Sequence, residues 1–283
     1  MNIFRTISLV CLAVACVGAL SAMDKADHGT PAGKPTANEA FDLLRQGNAR
    51  FVTGATHHPH TDADRLALAG REDQGKYAYA TILACSDSRV PVERIFDAGV
   101  MDLFTIRVAG NVCGSQVIGT VEYGLAHVHT PLLVVLGHSQ CGAVTAVVKA
   151  DRQKKSGPAK LERNIPSLLQ HIEPAVAATR QEGGSRHSDA TGHHVAAAVE
   201  ENVYCAIEEL FRESPITRQL VDAGAVRVVG AIYAVDTGQV RWLPENEVYR
   251  RLGRAESDPS HALEAYASEP LAAEPKAQRS TAR

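Results

Sequence analysis

The chain has 283 residues and a formal net charge of -3 at pH 7. This balance provides no basic surface for nucleic acid or for an anionic membrane, so we expect neither as a partner of the mature chain. With 22% charged and 45% hydrophobic residues, the composition is typical of one globular domain.

The N-terminus has the pattern of a secretory signal peptide. Arg5 precedes an apolar run over residues 7–20, and the small residues Ser21 and Ala22 follow it. The run is shorter than the roughly 20 apolar residues of a transmembrane helix. We predict that residues 1–22 are removed and that the chain is exported to the periplasm or secreted. An uncleaved membrane anchor and a lipoprotein signal ending at Cys16 are the alternatives.

The segment that follows is predicted to lead into a helix. Residues 23–36 have the composition of a mobile linker. From Ala37, apolar residues recur at helical spacing until Gly54 ends the pattern. A polar loop comes next, and we expect its histidines to be solvated: His57, His58 and His60.

Strands and helices then alternate along the chain. Apolar runs typical of buried strands cover residues 78–84, 103–108, 132–136 and 226–233, and a short edge strand ends at Leu243. Helical patterns separate these runs, the longest over residues 195–211. Such alternation favours an α/β fold with a mainly parallel central sheet flanked by helices. We assign the domain to residues 37–254, and we expect residues 255–283, rich in Ala, Glu and Pro, to be disordered.

Chemically versatile side chains follow two of these strands. Cys85, Asp87 and Arg89 come after the first strand, and His138 and Cys141 come after the third. Ligand sites in parallel sheets lie at the carboxyl ends of strands. Two thiolates and an imidazole suit zinc, which prefers four tetrahedral ligands and keeps one position open in catalytic sites. We therefore predict one Zn2+ per chain, bound by Cys85, His138 and Cys141.

Asp87 has two alternative states. It can be the fourth zinc ligand, or Arg89 can hold it in a charge-assisted pair that leaves the fourth position to water. In the second state zinc would lower the pKa of that water towards 7 and produce a hydroxide nucleophile, with Asp87 accepting its hydrogen bond. The alternative is a structural Asp87–Arg89 ion pair beside a closed zinc site.

The remaining cysteines are less informative. In an oxidising compartment, the four cysteines left after signal removal also fit two disulfides. Against this, Cys85 and Cys141 lie in segments that supply other metal ligands. Cys205 lies in an apolar helical stretch and is predicted to be a buried free thiol, and Cys113 either pairs with it or stays free. The spacing of Cys85 and Arg89 is too short for a phosphatase loop, and the Cys-x-x-Cys redox motif is absent from the sequence.

These segments resemble the β-class carbonic anhydrases over roughly residues 38–245. The similarity is strongest in the two zinc motifs, CSDSRVP at residues 85–91 and GHSQCGA at residues 137–143. It extends to further segments at residues 46–51, 107–111, 201–203 and 229–233 and at Thr237-Gly238. In the family, the segment like residues 46–51 belongs to an N-terminal helix that wraps a partner subunit.

The resemblance implies a parallel sheet of order 2-1-3-4 in an intimate homodimer, often a homotetramer. It implies reversible hydration of CO2 to bicarbonate and a proton, by attack of zinc-bound hydroxide. By carry-over, Cys85, His138 and Cys141 are zinc ligands. Asp87 and Arg89 form the catalytic dyad, with Asp87 also able to move onto zinc, and Gly142 offers a backbone N–H near the substrate.

Some family features are absent from this sequence. Ile82 stands where members with a regulatory bicarbonate site have Trp, and Lys76 stands where others have a substrate-contacting Gln, although Gln74 is near. Four histidines are candidate proton relays: His127, His129, His193 and His194. Two rival functions keep the same ligands: hydrolysis of CS2 or COS, and zinc binding without catalysis.

Overall fold

A five-stranded sheet forms the centre of the part of the chain that the computed structural model describes, residues 33–153, 164–180 and 190–256. The strands are β1 (Ala80–Ala84), β2 (Leu103–Arg107), β3 (Leu132–His138), β4 (Arg227–Tyr233) and β5 (Val240–Trp242). Their order is β2-β1-β3-β4-β5. The first four are parallel to their neighbours and β5 is antiparallel to β4. The predicted α/β class, strand order and edge strand are confirmed.

Helices cover both faces of this sheet. They are α1 (Ala37–Thr53), α2 (Ala63–Ala69), α3 (Val92–Ile95), α4 (Ser115–Ala126), α5 (Gly142–Gln153), α6 (Ile165–Leu169), α7 (Glu173–Ala178), α8 (Ala190–Glu213), α9 (Pro215–Asp222) and α10 (Glu245–Glu256). One face packs against α1 and α3. The other packs against α4, α8, α9 and α10. Because both faces are covered, every residue of β1 and β3 is buried.

A third apolar cluster lies at the carboxyl end of the sheet, beneath α5, α7 and α8. It contains the side chains of Cys85 and Cys141 beside valines of these helices. The sheet therefore ends in a packed apolar layer at the edge where the candidate ligands lie. Among the described residues, every helix is too short or too polar to span a membrane.

The start of α1 is fixed by side chains from the segment predicted to be a mobile linker. Thr36 and Glu39 form a reciprocal capping box, and Gly54 ends the helix in the left-handed conformation, at φ 72°. Lys34 is buried, and its Nζ donates to the carbonyl of Val128 at 2.6 Å. Burial lowers the pKa of Lys34 to about 8. The linker prediction is therefore wrong for the residues just before α1, because they are bound to the end of α4; residues 23–32 lie outside the described part.

Close backbone packing holds α1 against its own sheet. A Cβ at Gly47 would lie 1.8 Å from the carbonyl oxygen of Phe96. Next to it, the Asn48 side chain donates to the carbonyl of Gly238 at 2.9 Å and accepts from the N–H of Val240 at 2.9 Å. α1 is thereby tied both to the end of α3 and to the turn before β5.

The histidine-rich loop is anchored by two buried aspartates. His57 and His58 donate backbone N–H groups to the buried carboxylate of Asp97. The His60 ring contacts the buried Asp102 carboxylate at 2.7 Å, and Arg65 donates to the same group at 3.0 Å. All three histidines are exposed, as predicted, and the His60 side chain stays 51% exposed although it contacts Asp102 just before β2.

The last helix is part of the core. Val248, Leu252 and Ala255 are buried against the sheet. Arg251 bonds Glu201 and Glu208 of α8 through the same nitrogen, at 2.8 and 3.1 Å. The predicted domain end at residue 254 falls within α10, which continues to Glu256. Most of the segment predicted to be disordered, residues 257–283, lies outside the described part, as does the predicted signal peptide.

Gly47→Ala is expected to destabilise the protein by about 1–3 kcal/mol or more, because the added methyl group meets a backbone carbonyl that cannot rotate away. Gly119→Ala is the matched control, since Gly119 is exposed in α4 and has open space around it. That change should stabilise by about 0.5–1 kcal/mol. Urea unfolding of both variants measures the difference, and equal stability would contradict this packing of α1.

Candidate metal centre

The three candidate ligands meet at the carboxyl ends of β1 and β3. Cys85 directly follows β1, His138 is the last residue of β3, and Cys141 immediately precedes α5. Their ligand atoms all lie within 4.8 Å of one another. All three residues are buried, at 4%, 0% and 1% exposure respectively. Within the described part of the chain, this is the one such cluster of His, Cys, Asp or Glu side chains.

The His138 ring is oriented by its neighbour. Its Nδ1 donates to the carbonyl of Ser139 at 2.9 Å, which leaves a lone pair on Nε2. Nε2 is buried and has no hydrogen-bond partner. A buried polar atom without a partner is costly and calls for an explanation. An Nε2 lone pair facing two sulfur atoms, with Nδ1 held by a carbonyl, is the arrangement of a metal-ligating histidine.

Two backbone N–H groups donate to the sulfur atom of Cys85. Cys85 Sγ accepts from Asp87 at 3.4 Å and from Gly110 at 3.3 Å. Hydrogen bonding from Cys141 lowers the pKa of the Cys85 thiol, and the same contact together with burial raises that of Cys141. The pair thus favours one thiolate, and a coordinated cation would deprotonate the second thiol as well.

Cys141 also lies at the start of a helix. Its carbonyl accepts the first helical hydrogen bond of α5, from Thr145 at 2.9 Å. The backbone N–H groups of Ala143 and Val144 in the first turn act to lower the pKa of this thiol, but the contact with Cys85 and burial outweigh them. A thiolate is stabilised in this position by the free N–H groups and the positive end of the helix dipole.

The Asp87 carboxylate is held by Arg89. Arg89 donates Nε to Oδ1 at 2.9 Å and Nη2 to Oδ2 at 2.7 Å, and its backbone N–H adds a third bond at 3.0 Å. These bonds keep the pKa of Asp87 well below its usual range. Oδ2 lies 4.0 Å from His138 Nε2. Of the two alternative states of Asp87, the structure has the one in which Arg89 holds the carboxylate.

Arg107 is a site residue that the residue-level reasoning missed, although it lies in one of the segments that resemble the family. From the end of β2 it donates Nε to the carbonyl of Cys85 at 3.1 Å and Nη2 to the carbonyl of Asp87 at 2.7 Å. It therefore holds the backbone of the segment that carries both a candidate ligand and the dyad. Apart from that resemblance, the sequence signal was a charged residue ending a mostly apolar strand.

The other predicted site residues are more scattered. Gly142 begins α5, and nothing lies within 4 Å of where its Cβ would be, so its backbone faces open space. Among the candidate relays, His194 is buried and contacts the carbonyl of Val176, whereas the other three are exposed: His127, His129 and His193. The described cysteines are all free, so neither the two-disulfide alternative nor a Cys113–Cys205 pair is present.

Two curated relatives align with this chain over most of their length. Carbonic anhydrase 2 of Mycobacterium tuberculosis is 36% identical over 203 residues, which cover 71% of this chain and 89% of the relative. Carbonic anhydrase of Mycolicibacterium smegmatis is 34% identical over 210 residues, covering 74% and 94%.

Solved structures share the fold. The β-carbonic anhydrase CafA of Aspergillus fumigatus aligns with a TM-score of 0.55 at 21% identity, over 77% of this chain and 99% of that one. One of two tetrameric β-carbonic anhydrases of Sordaria macrospora aligns with a TM-score of 0.53 at 20% identity, over 73% and 97%. At these identities the likeness concerns the fold alone.

A family model described as Carbonic anhydrase matches residues 80–240, more than half of the chain. The matched region contains β1 to β4 and all the candidate ligands. With the two mycobacterial relatives and the shared fold, this match establishes that the chain belongs to the β-carbonic anhydrase family.

Proposed function

We propose that this chain catalyses the reversible hydration of CO2 to bicarbonate and a proton, with one Zn2+ held by Cys85, His138 and Cys141. The observation that carries the proposal is the buried, unpartnered Nε2 of His138 facing two thiols beside a carboxylate fixed by arginine. The family membership and the carbonic anhydrase relatives support the same activity.

The donor set suits zinc better than the common alternatives. Mg2+ and Ca2+ prefer oxygen ligands, whereas two thiolates with one imidazole are typical of Zn2+. When bound, zinc would supply an activated water, because it lowers the pKa of a coordinated water from about 15.7 towards 7. Three protein ligands leave one tetrahedral position for that water.

Arg89 keeps Asp87 available as a hydrogen-bond acceptor rather than a ligand. Two thiolates already balance a doubly charged cation, so a third anionic ligand would weaken its pull on water. Three hydrogen bonds from Arg89 compete for the carboxylate and keep it ionised. Asp87 can then accept a hydrogen bond from the attacking group and fix its orientation. Gly142, at the N-terminus of α5, presents backbone N–H to a developing anion.

Arg107 contributes by fixing the backbone beneath these groups. Its planar guanidinium reaches two carbonyls at once, those of Cys85 and Asp87. A lysine ammonium cannot reproduce this two-pronged contact. The relative placement of the ligand and of the dyad carboxylate therefore depends on an arginine at this position.

We also propose that the chain assembles into a homodimer or homotetramer. β2 is an edge strand, and Leu103, Phe104 and Thr105 along it are only half-buried. The nearby Tyr123 ring is 51% exposed and lies 6.0 Å from the ring of Phe104. An edge strand with an apolar aromatic neighbour is a surface that proteins usually cover. Light scattering after gel filtration should give a multiple of the chain mass, and a monomer at micromolar concentration would contradict this.

The export of the protein remains our proposal and rests on the sequence of residues 1–22 alone. Expression of the full chain with recovery of the periplasmic fraction should yield a protein whose first residue is near Met23. Intact-mass measurement identifies the cleavage position. A protein that keeps its first residues in the cytoplasmic fraction would argue against export.

Arg89→Ala should lower CO2 hydration by about 100-fold or more while the protein still binds zinc, since the change frees Asp87 without touching a proposed ligand. Stopped-flow hydration and zinc content are measured on the same sample. Arg241→Ala is the matched control, because Arg241 is an exposed arginine on β5 whose partner is Glu200. Zinc-loaded wild-type protein without hydration at neutral or alkaline pH would overturn the proposed function.

Arg107→Ala and Arg107→Lys should both lower kcat/KM by about 10-fold or more, because neither side chain bridges the two carbonyls. The same stopped-flow assay separates kcat from KM, and Arg241→Ala again shows the effect of losing an arginine elsewhere. A lysine variant with full activity would show that positive charge alone suffices at this position.

A further inference from the structure

A buried asparagine on α8 reaches the backbone beside the metal centre. Asn202 is 2% exposed, and its Nδ2 donates to the carbonyl of Gly110 at 2.8 Å, across 92 residues of sequence. The N–H of the same Gly110 donates to Cys85 Sγ at 3.3 Å. Asn202 therefore does not touch a candidate ligand. It holds Gly110, which lies outside the Cys85 loop and whose N–H donates to the Cys85 sulfur.

Gly110 has little freedom apart from this bond. Its φ is +75°, in the left-handed region, and a Cβ there would lie 2.7 Å from Cδ1 of Ile172 and 3.3 Å from Cβ of Ala143. Side chains of α5 and of the segment before α7 thus pack against Gly110, and the amide of Asn202 bonds its carbonyl. The direction of the Gly110 N–H follows from the conformation that these contacts select.

We propose that Asn202 is a positioning residue for the metal centre, and that it acts by keeping the Gly110 N–H on the sulfur of Cys85. An N–H bond to a thiolate stabilises its charge and orients its remaining lone pairs. Without it, the Cys85 sulfur loses a backbone donor and is less well oriented for a metal. Residues that support a ligand in this way typically change metal affinity by about 10–100-fold when they are replaced. The inference rests on the proposed zinc binding by Cys85.

Asn202→Leu tests the proposal, because it retains similar bulk and removes the donor. The Zn2+ dissociation constant, measured by competition with a chromophoric chelator, should rise by about 10–100-fold. In the Co2+-substituted protein, the sulfur-to-cobalt charge-transfer band should shift. In the metal-free protein, hydrogen exchange of the Gly110 amide should become faster. Asn202→Ala gives the same comparison if the leucine variant does not fold.

Asn48→Leu is the matched control. Asn48 is also buried, at 7% exposure, and its side chain also donates to backbone carbonyls, those of Ile95 and Gly238. Its replacement should lower the stability of the protein and leave the zinc affinity and the cobalt spectrum unchanged. A structural effect of losing any buried asparagine is thereby separated from an effect on Cys85.

Two failures can be told apart. A folded Asn202→Leu protein with wild-type zinc affinity and an unchanged cobalt spectrum would overturn the positioning role and leave the proposed function intact. A wild-type protein that does not bind zinc would overturn the proposed function itself. Equal loss of zinc affinity in the Asn48 and Asn202 variants would also overturn the positioning role, since the effect would not depend on Gly110.

Discussion

The parallel pairing of β1 with β3 is the constraint on which the rest of the centre depends. In this register Ala84 lies opposite Leu136, so the two strands end at the same edge of the sheet. Cys85 leaves β1 at that edge, and His138 ends β3 there, with Cys141 in the turn that follows. A shift in register would separate the sulfur atoms from the imidazole, whatever the local conformation of each loop.

Charge explains why the side chains around this edge are arranged as they are. Two thiols and an imidazole, all buried, are unfavourable together unless something compensates the charge of a thiolate. Backbone N–H groups supply part of the compensation, since those of Asp87 and Gly110 donate to Cys85 Sγ. A cation would supply the remainder. Asp87 adds a further negative charge nearby, and Arg89 balances it outside the cluster rather than within it.

Much of the fold and of the site could be predicted because the signals are local. Runs of apolar residues marked the strands, and Gly54 marked the end of α1, where a left-handed residue is needed. The meeting of Cys85 with His138 followed from the rule that parallel strands carry their sites at one edge. The catalytic roles of Asp87 and Arg89 stay predictions, since the geometry shows how the two side chains are held and not what they do to a substrate.

What could not be predicted depends on partners that are distant in sequence. Lys34 looked like part of a linker because its acceptors, the carbonyls of Val128 and His129, lie more than ninety residues further along the chain. α10 was missed although its apolar residues Val248, Leu252 and Ala255 recur at helical spacing, because the segment is otherwise polar and its buried face packs against α8 and β4, which lie earlier in the chain. In each case a polar or amphipathic segment is fixed by burial against a surface that exists only after the sheet has formed.

The same dependence on distant partners governs how rigid the centre is. The loop after β1 is held by Arg107 at the end of β2. The turn after β3 is held by the end of β4 and the residues that follow it. The N–H of Val235 donates to Ser139 Oγ at 3.0 Å, and the carbonyl of Tyr233 accepts from the N–H of Ser139. Each ligand segment is thus supported by the neighbouring strand on its outer side. Such support orders the donor atoms before any metal binds. Metal binding therefore does not have to offset the conformational entropy that is lost when two loops become ordered. Preorganisation of this kind makes the affinity of the centre a property of the whole sheet edge rather than of three side chains.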